Sequence, residues 1–288
     1  MHVKKNGLSA FLFLLIFLPA TSSFSESRES KTGNGLSATA AEKGKKDELT
    51  LGKDYFRGYV SDVKSIVTSP VRWDGEDWKK ALAVVGVTAG LYFYDQDIHD
   101  WVQKHKNGPT QSVSSAASYL GDGLYMGPAL GLFYLYGSVA KDSRAKRASL
   151  LALESLVISG AFAQVFKYAG HRTRPADGND HDQWRGPSFS SSDLSFCSGH
   201  AATAFSLATV LANEYGDNPY VPPIAYGLAT LTALSRINDG AHWASDVFLG
   251  SAVGYFTAKA VIALHAEHKN IRILPFSGGT GLVIGLAF

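Results

Sequence analysis

The sequence predicts an all-α protein, a bundle of six helices followed by a short C-terminal β-hairpin. From about residue 75 onward, apolar segments of helical length alternate with short polar breaks. Apolar helices of this kind bury their faces against one another. After the last of them, apolar and small residues alternate behind a glycine-rich turn, which is typical of a hairpin.

The apolar blocks give the bounds of the six helices. They are residues 78–95, 124–140, 148–169, 201–215, 221–236 and 243–268. Several apolar cores are only about 13 to 18 residues long, whereas a membrane crossing needs roughly 20. The mean hydropathy of the chain is −0.01. We therefore favour a soluble or peripheral bundle over a polytopic one, although Ala- and Gly-rich helices pack closely in either medium.

The sequence divides into four predicted parts. Two lysines, an apolar run and then small residues indicate a secretory signal peptide over residues 1–25. A polar linker and lead-in segment follows over residues 26–74, the helical domain over 75–268 and the hairpin tail over 269–288. We expect an exported protein, periplasmic or membrane-associated, with its active site on the periplasmic side.

Charge and cysteine content exclude two classes of protein. Of the 27 Lys and Arg residues, two lie in the signal peptide, which leaves 25 against 25 Asp and Glu. Nothing in this neutral balance suggests the basic face or stripe that nucleic-acid binding needs, so we expect no nucleic-acid partner. Cys197 is the chain's single cysteine, which excludes a disulfide within the chain.

Polar residues gather at particular ends of the predicted helices. Lys167 ends the third helix, His200 begins the fourth, and Arg236 ends the fifth. His242 and Asp246 begin the sixth. Because alternate helices of an up-and-down bundle reverse direction, these four ends are expected to meet on one face.

The residue types at these ends are those of a site for a phosphate-like oxyanion. Lys167, Arg174 and Arg236 supply fixed cationic donors, and the helix N-termini supply free backbone N–H groups. Gly199 has no side chain, so the backbone can approach an anion closely.

The two histidines are predicted to have different roles. His242 and Asp246 are four residues apart and share a helix face, so the carboxylate is expected to hold one ring nitrogen. The other nitrogen is then a nucleophile. His200 has no such partner, and we expect it to protonate the leaving oxygen as the general acid.

Three motifs resemble, in order and spacing, the signature of the type-2 phosphatidic acid phosphatases. This family shares a superfamily with bacterial class A acid phosphatases and vanadium haloperoxidases. "KYAGHRTRP" from Lys167 to Pro175 matches K-x6-R-P, and "CSGH" ending at His200 matches P-S-G-H except at its first residue. "SRINDGAHWASD" from Ser235 to Asp246 matches S-R-x5-H-x3-D.

The resemblance covers about residues 75–266 and implies a fold of the acid phosphatase and haloperoxidase type. It implies that His242 carries a phosphohistidine intermediate, that Asp246 orients it, and that His200 acts first as acid and then as base. It implies no metal or cofactor, with vanadate as an inhibitor or phosphate mimic. The residues implied to bind the phosphoryl oxygens are Lys167, Arg174, Ser198, Gly199 and Arg236.

Cys197 stands where the family has proline, and it raises an alternative mechanism. A cysteine-dependent phosphatase needs an arginine after five intervening residues, and that position is Thr203. The pattern therefore argues against a cysteine nucleophile. A vanadium-dependent haloperoxidase and a non-catalytic phospholipid-binding protein remain as alternatives to the phosphatase.

The expected function is hydrolysis of phosphate monoesters or pyrophosphates without a metal. The expected partners are a phosphorylated lipid or a small phosphomonoester, together with a membrane surface. In the long loop 176–196, Trp184, Phe189 and Phe196 are predicted to line a path for a lipid tail. Near the end of the last helix, His265 is predicted to be a surface residue because no third metal ligand is adjacent.

Overall fold

The computed structural model describes residues 52–178, 180–192, 194–275 and 282–286. The predicted signal peptide and the predicted linker up to residue 51 lie outside these residues. Within them, the all-α class is the predicted one, with two short strands near the C-terminus.

In chain order the helices α1 to α9 are Lys53–Val67, Gly75–Tyr92, Asp95–His105, Gly108–Ser118, Gly123–Val139, Ser143–Gly170, Gly199–Glu214, Val221–Asn238 and Ala244–Asn270. Short 3₁₀ segments are Ser69–Arg72, Tyr119–Gly121 and Pro175–Asp177. The strands are β1, Ile271–Pro275, and β2, Leu282–Leu286. They pair antiparallel, with Ile273 opposite Ile284, in the region where the sequence predicts a hairpin.

The predicted count of six helices is wrong for the part of the chain that the structure describes. Helices α2 and α5 to α9 correspond to the six apolar blocks, whereas α1, α3 and α4 are additional. These three are shorter and more polar, so they form no continuous apolar block. The sequence signals for these helices are at their ends. Asn107 and Thr110 form a capping box at the start of α4. Helix α3 begins with the acidic Asp95 and ends with the basic His105, an order of charge that suits the helix dipole.

Helix α1 lies in the predicted lead-in segment and packs on the bundle. Tyr59, Val63 and Ile66, spaced on one helical face, lie against a buried cluster formed by α5, α6, α7 and α9. The hydroxyl of Tyr55 donates a hydrogen bond to the carbonyl of Leu150 at 3.1 Å. Helical packing therefore begins before residue 75, and the proposed division into domains stays a prediction.

Helix α7 lies at the centre of the bundle. Ala204, Phe205 and Ala208 belong to a buried cluster with α8 and the start of α9. Val210 joins the other cluster, with Leu151 of α6. Because most of these side chains are small, the neighbouring helices approach α7 closely.

Helix α9 approaches α7 at two glycines one turn apart. A Cβ atom at Gly250 would lie 2.3 Å from the carbonyl oxygen of Ser198, and one at Gly254 would lie 2.1 Å from that of Ala202. Only glycine permits this approach. The contact fixes the start of α7 against the first half of α9, and so sets the position of the site residues on both helices.

The outer surface of the bundle carries many apolar side chains. Leu82, Leu132, Val139 and Ile224 are examples of large apolar residues that are more than half exposed. By length and composition alone, α6 and residues Ala244–Ala266 of α9 are each sufficient to cross a membrane.

Candidate active site

The predicted cations lie beside the N-terminus of α7. Lys167 is in the last turn of α6, and a Cβ atom built at Gly199 would lie 3.8 Å from its Nζ. Arg174, half-buried after α6, is close enough to influence the charge of both His200 and His242. As predicted, the ends of α6, α7, α8 and α9 meet on one face.

Ser198 caps α7 and joins it to α9. Its Oγ accepts a hydrogen bond from the backbone N–H of Ala201 at 3.4 Å, and its own N–H donates to the carbonyl of Asp246 at 3.0 Å. The backbone N–H groups of Gly199 and His200, in the first turn, have no acceptor within the helix. They present the positive end of the helix dipole to the site.

Arg236 is held in place by α4, an element absent from the predicted fold. Its Nη2 donates to Asp239 Oδ2 at 2.6 Å and its Nε to Ser235 Oγ at 3.0 Å. The other oxygen of Asp239 accepts from Ser114 Oγ at 2.8 Å and from Gln111 Nε2 at 3.2 Å. The polar face of α4 therefore fixes the guanidinium at the end of α8.

His242 has a different hydrogen-bond acceptor from the predicted one. Its Nδ1–H donates to the carbonyl oxygen of Ser195 at 2.6 Å, and the predicted direct bond to the carboxylate of Asp246 is absent. Because a carbonyl oxygen only accepts, the proton lies on Nδ1 and the lone pair on Nε2. The prediction of a His–Asp bond is wrong, but the ring still has one nitrogen with a free lone pair.

Asp246 acts on His242 through Ser195. Its Oδ2 accepts from Ser195 Oγ at 2.5 Å and from the backbone N–H of Trp243 at 3.1 Å, and its Oδ1 accepts from Arg172 Nη1 at 2.7 Å. Asp246 is three residues after the N-cap of α9, where a carboxylate faces the N-cap N–H. That capping bond turns it away from His242.

Arg172 is a buried residue that the motifs did not single out. Its Nη2 donates a hydrogen bond to Asp95 Oδ2 at 2.8 Å. Arg172, Asp95 and Asp246 are all fully buried. The other oxygen of Asp95 accepts the N–H of Ser245 at 2.9 Å. One arginine thus neutralises two carboxylates and joins the starts of α3 and α9. The spacing K-x6-R-P selects Arg174 and carries no signal for Arg172.

The buried imidazole of His242 is held neutral. Burial, reinforced by the charges of Lys167 and Arg174, lowers the pKa of His242 well below its ordinary value of 6.5. At neutral pH the ring therefore combines a protonated Nδ1 with an unprotonated Nε2, whose lone pair is able to act as a nucleophile.

His200 is uncharged at neutral pH when the site holds no anion. Burial and then the charge of Arg236 lower its pKa to about 4, while Asp122 acts in the opposite direction. A phosphate dianion would offset the local positive charge and favour protonation of His200. Gly121 packs against the backbone of His200. A Cβ atom at this position would lie 2.6 Å from the His200 carbonyl oxygen, so only glycine fits.

Cys197 does not have the properties of a nucleophile. The side chain is fully buried, and burial, followed by the charge of Asp246, raises the pKa of the thiol to about 12. The reactive thiolate is therefore scarce at neutral pH.

An apolar groove of about 570 Å³ adjoins the site. Trp184 and Phe196 line it, as predicted, together with Val85 of α2 and Leu249 of α9. Phe189, predicted to belong to the same lining, is outside it and is 97% exposed. The groove reaches the catalytic end through Phe196, which is adjacent to Cys197.

The site segment matches a known family. Residues 148–270 match the family model described as the PAP2 superfamily, which includes every predicted site residue. This segment is therefore similar to the PAP2 superfamily. The match covers most of α6 and all of α7 to α9, the four helices whose ends form the site.

A curated relative of the chain is the lipid A 1-phosphatase of Porphyromonas gingivalis. It is 38% identical over 100 residues, which are 34% of this chain and 20% of that protein. The chain thus aligns with about a fifth of the length of this relative.

Two solved structures resemble the chain. A transmembrane PAP2 type phosphatidylglycerolphosphate phosphatase from Bacillus subtilis is 20% identical, with a TM-score of 0.50, over 76% of this chain and 98% of that chain. Its likeness concerns the fold. LpxE of Aquifex aeolicus is 23% identical, with a TM-score of 0.44, over 59% of this chain and 94% of that chain.

Proposed function

We propose that this protein is a metal-independent phosphatase that hydrolyses a lipid-linked phosphate monoester or pyrophosphate through a phosphohistidine intermediate. One observation carries the proposal: His242 donates Nδ1–H to the Ser195 carbonyl at 2.6 Å, which leaves Nε2 as a nucleophile beside fixed cations. The relatives in the PAP2 superfamily include a lipid A 1-phosphatase, which supports the same class of reaction.

The first step transfers the phosphoryl group to the enzyme. Nε2 of His242 forms a bond to phosphorus while the bond from phosphorus to the leaving oxygen breaks, and His200 gives its proton to that oxygen. Lys167, Arg174 and Arg236, with the N–H groups that begin α7, stabilise the charge on the three non-bridging oxygens. Fixed cations thus supply the stabilisation that metal ions supply elsewhere.

The second step releases phosphate. Water attacks the phosphorus of the phosphohistidine, the P–N bond breaks, and neutral His200 takes the proton from the water. His242 returns to its starting form with a free lone pair on Nε2, and His200 is again protonated. Vanadate, as a phosphate mimic, is expected to inhibit both steps.

The surroundings of the site favour a lipid substrate at a membrane. The apolar groove that Val85, Trp184 and Leu249 line lies beside the phosphate site and suits an acyl chain. The exposed apolar side chains and the lengths of α6 and α9 support membrane association. We place the active site on the periplasmic side because of the predicted signal peptide.

Replacement of the nucleophile tests the proposal. His242→Ala is expected to lower phosphate release from both a phosphorylated lipid and an aryl phosphate by about 10³-fold or more. Radiolabelled phosphate should become bound to the wild-type protein in acid-labile form and not to this variant. His105→Ala, at the exposed end of α3, is the matched control and should retain activity. Phosphate release that survives His242→Ala would refute the mechanism.

The same preparations separate the alternatives. Bromide oxidation by vanadate-loaded protein that exceeds phosphate release would assign a haloperoxidase. Lipid binding without either reaction would assign a binding protein.

A further inference from the structure

A second cluster of titratable side chains lies away from the phosphate site. It consists of Asp62 of α1, Glu154 of α6 and His265 of α9. Nε2 of His265 is 2.9 Å from Glu154 Oε2 and 3.4 Å from Asp62 Oδ2. The prediction that His265 is a surface residue is wrong, because its side chain is only 10% exposed.

This cluster is separate from the catalytic groups. Glu154 is 13 positions before Lys167 on the same helix, so the two are about 20 Å apart along its axis at 1.5 Å per residue. A group bound at the cluster therefore cannot touch the reacting phosphate.

Glu154 has little compensation for its buried charge. The residue is only 1% exposed. Among the described residues, His265 is the one basic side chain in contact with it. Burial of a carboxylate with so little compensation is costly, so Glu154 favours a nearby positive charge.

One acceptor in the cluster points to a missing ligand. Oε1 of Glu154 is buried and has no hydrogen-bond partner in the described part of the chain, although the residue is only 1% exposed. The neighbouring hydroxyl of Tyr55 donates instead to the carbonyl of Leu150. A buried acceptor left without a donor is rare in folded proteins.

The spacing of the donor atoms suits one small cation. One ligand atom from each of the three residues lies within 4.8 Å of the others. Ligands at 2.0 to 2.2 Å from a tetrahedral ion are about 3.3 to 3.6 Å apart. The separation of 3.4 Å between His265 Nε2 and Asp62 Oδ2 falls in this range, and that of 2.9 Å between His265 Nε2 and Glu154 Oε2 must lengthen slightly when the ion binds. Imidazole with carboxylates is a ligand set that Zn²⁺ accepts.

We propose that Asp62, Glu154 and His265 bind a Zn²⁺ ion, with water in the remaining position. The ion takes the lone pair of His265 Nε2 and compensates the buried charge of Glu154. Because its ligands come from α1, α6 and α9, it fastens α1 to the bundle. This role is structural and leaves the chemistry of the phosphate site independent of metal.

Zinc titration of the purified full chain in detergent tests the proposal. After removal of metals with a chelator, the protein is expected to take up one Zn²⁺ per chain by elemental analysis. At a Zn²⁺ concentration about 100-fold above its Kd, the Tm should rise by roughly 5 to 10 °C. Phosphate release at 25 °C should not depend on Zn²⁺, so this result is independent of the proposed catalytic function.

Two variants identify the ligands. Glu154→Gln keeps the shape of the side chain and is expected to abolish both Zn²⁺ uptake and the Tm shift. Asp97→Asn removes an exposed carboxylate of α3 and should behave as wild type. Absence of Zn²⁺ uptake by the wild-type protein would overturn the proposal, whether or not the variants fold. Equal uptake by Glu154→Gln and wild type would also overturn it.

Discussion

Two arginines that are two positions apart have opposite environments. Arg172 is fully buried between Asp95 and Asp246, whereas Arg174 is half-buried and influences both histidines. Loss of a cation that is enclosed by carboxylates lowers the free energy of unfolding. Loss of a cation that faces the substrate removes stabilisation of the transition state.

Substitution of each arginine by methionine separates these roles. Arg172→Met leaves two buried carboxylates without their counter-charge and should lower the free energy of unfolding by about 3–5 kcal/mol. Arg174→Met should change that free energy by less than about 1 kcal/mol but lower kcat/KM about 10²-fold or more. Urea denaturation and phosphate release measure the two effects. Equal loss of stability in both variants would contradict the assignment.

The pH dependence of the reaction follows from His200. Its pKa of about 4 in the free site means that the protonated acid is lost as the pH rises through that value. We therefore expect kcat/KM for a soluble aryl phosphate to fall on the alkaline side of about pH 4, since this parameter reports the free enzyme. His242, whose pKa is well below 6.5, remains a neutral nucleophile down to acidic pH.

Asp122→Asn tests the origin of this dependence. The Asp122 carboxylate raises the pKa of His200, so its removal lowers that pKa and moves the fall in kcat/KM to lower pH. Asparagine retains the cap that Asp122 provides to Leu124 N–H. Asp97→Asn is the control, and a shift of the profile to higher pH in Asp122→Asn would contradict the argument.

The spacing of the motifs was sufficient to predict which residues assemble, but not how they are held. Lys167, His200 and Arg236 lie at helix ends that a bundle brings together, so sequence order places them. Asp95 and Asp239 carry no such signal, because their roles depend on how α3 and α4 approach the site. His242 Nδ1–H likewise donates to Ser195 rather than to Asp246 because of the path of the loop before α7 and because Asp246 caps α9.

At the scale of elements, apolar periodicity located the long helices and missed the short polar ones. Helix α4 has no continuous apolar face, yet Ser114 and Gln111 on it hold Asp239. It contributes hydrogen bonds that depend on its position in the tertiary structure. No periodic pattern in the sequence predicts such bonds.

The contact between α7 and α9 depends on glycine. Gly254→Ala places a Cβ atom 2.1 Å from the Ala202 carbonyl oxygen, so the helices must separate. We expect a loss of about 1–3 kcal/mol in the free energy of unfolding. Gly160→Ala, where a Cβ atom meets nothing within 4 Å, should instead raise it by roughly 0.5–1 kcal/mol. Urea denaturation compares the two, and equal effects would refute the close contact.

At the scale of the whole molecule, the apolar groove lies next to the proposed phosphate site, because it is lined by Phe196 and Ser245. The proposed phosphate ligands lie at the ends of α6 to α9 and in the adjoining loops, while α2 supplies Val85 to the groove. Substrate choice is therefore expected to depend on a helix that carries none of the proposed catalytic residues.

Val85→Trp is designed to fill the groove without contact with the reacting atoms. It should lower kcat/KM for a phosphorylated lipid about 10-fold, equivalent to about 1.4 kcal/mol, and leave turnover of an aryl phosphate unchanged. Leu82→Trp, on the same helix and exposed, is the matched control. Equal losses on both substrates would indicate that the groove does not bind the lipid.

Ser195 has a consequence for the exchange of segments between related proteins. Its carbonyl binds His242 and its hydroxyl binds Asp246, across sequence separations of 47 and 51 residues. The loop before α7 and the start of α9 therefore depend on each other for their geometry. A chimera that receives residues 194–198 from a relative is expected to keep an aligned nucleophile only when residues 242–246 come from the same donor.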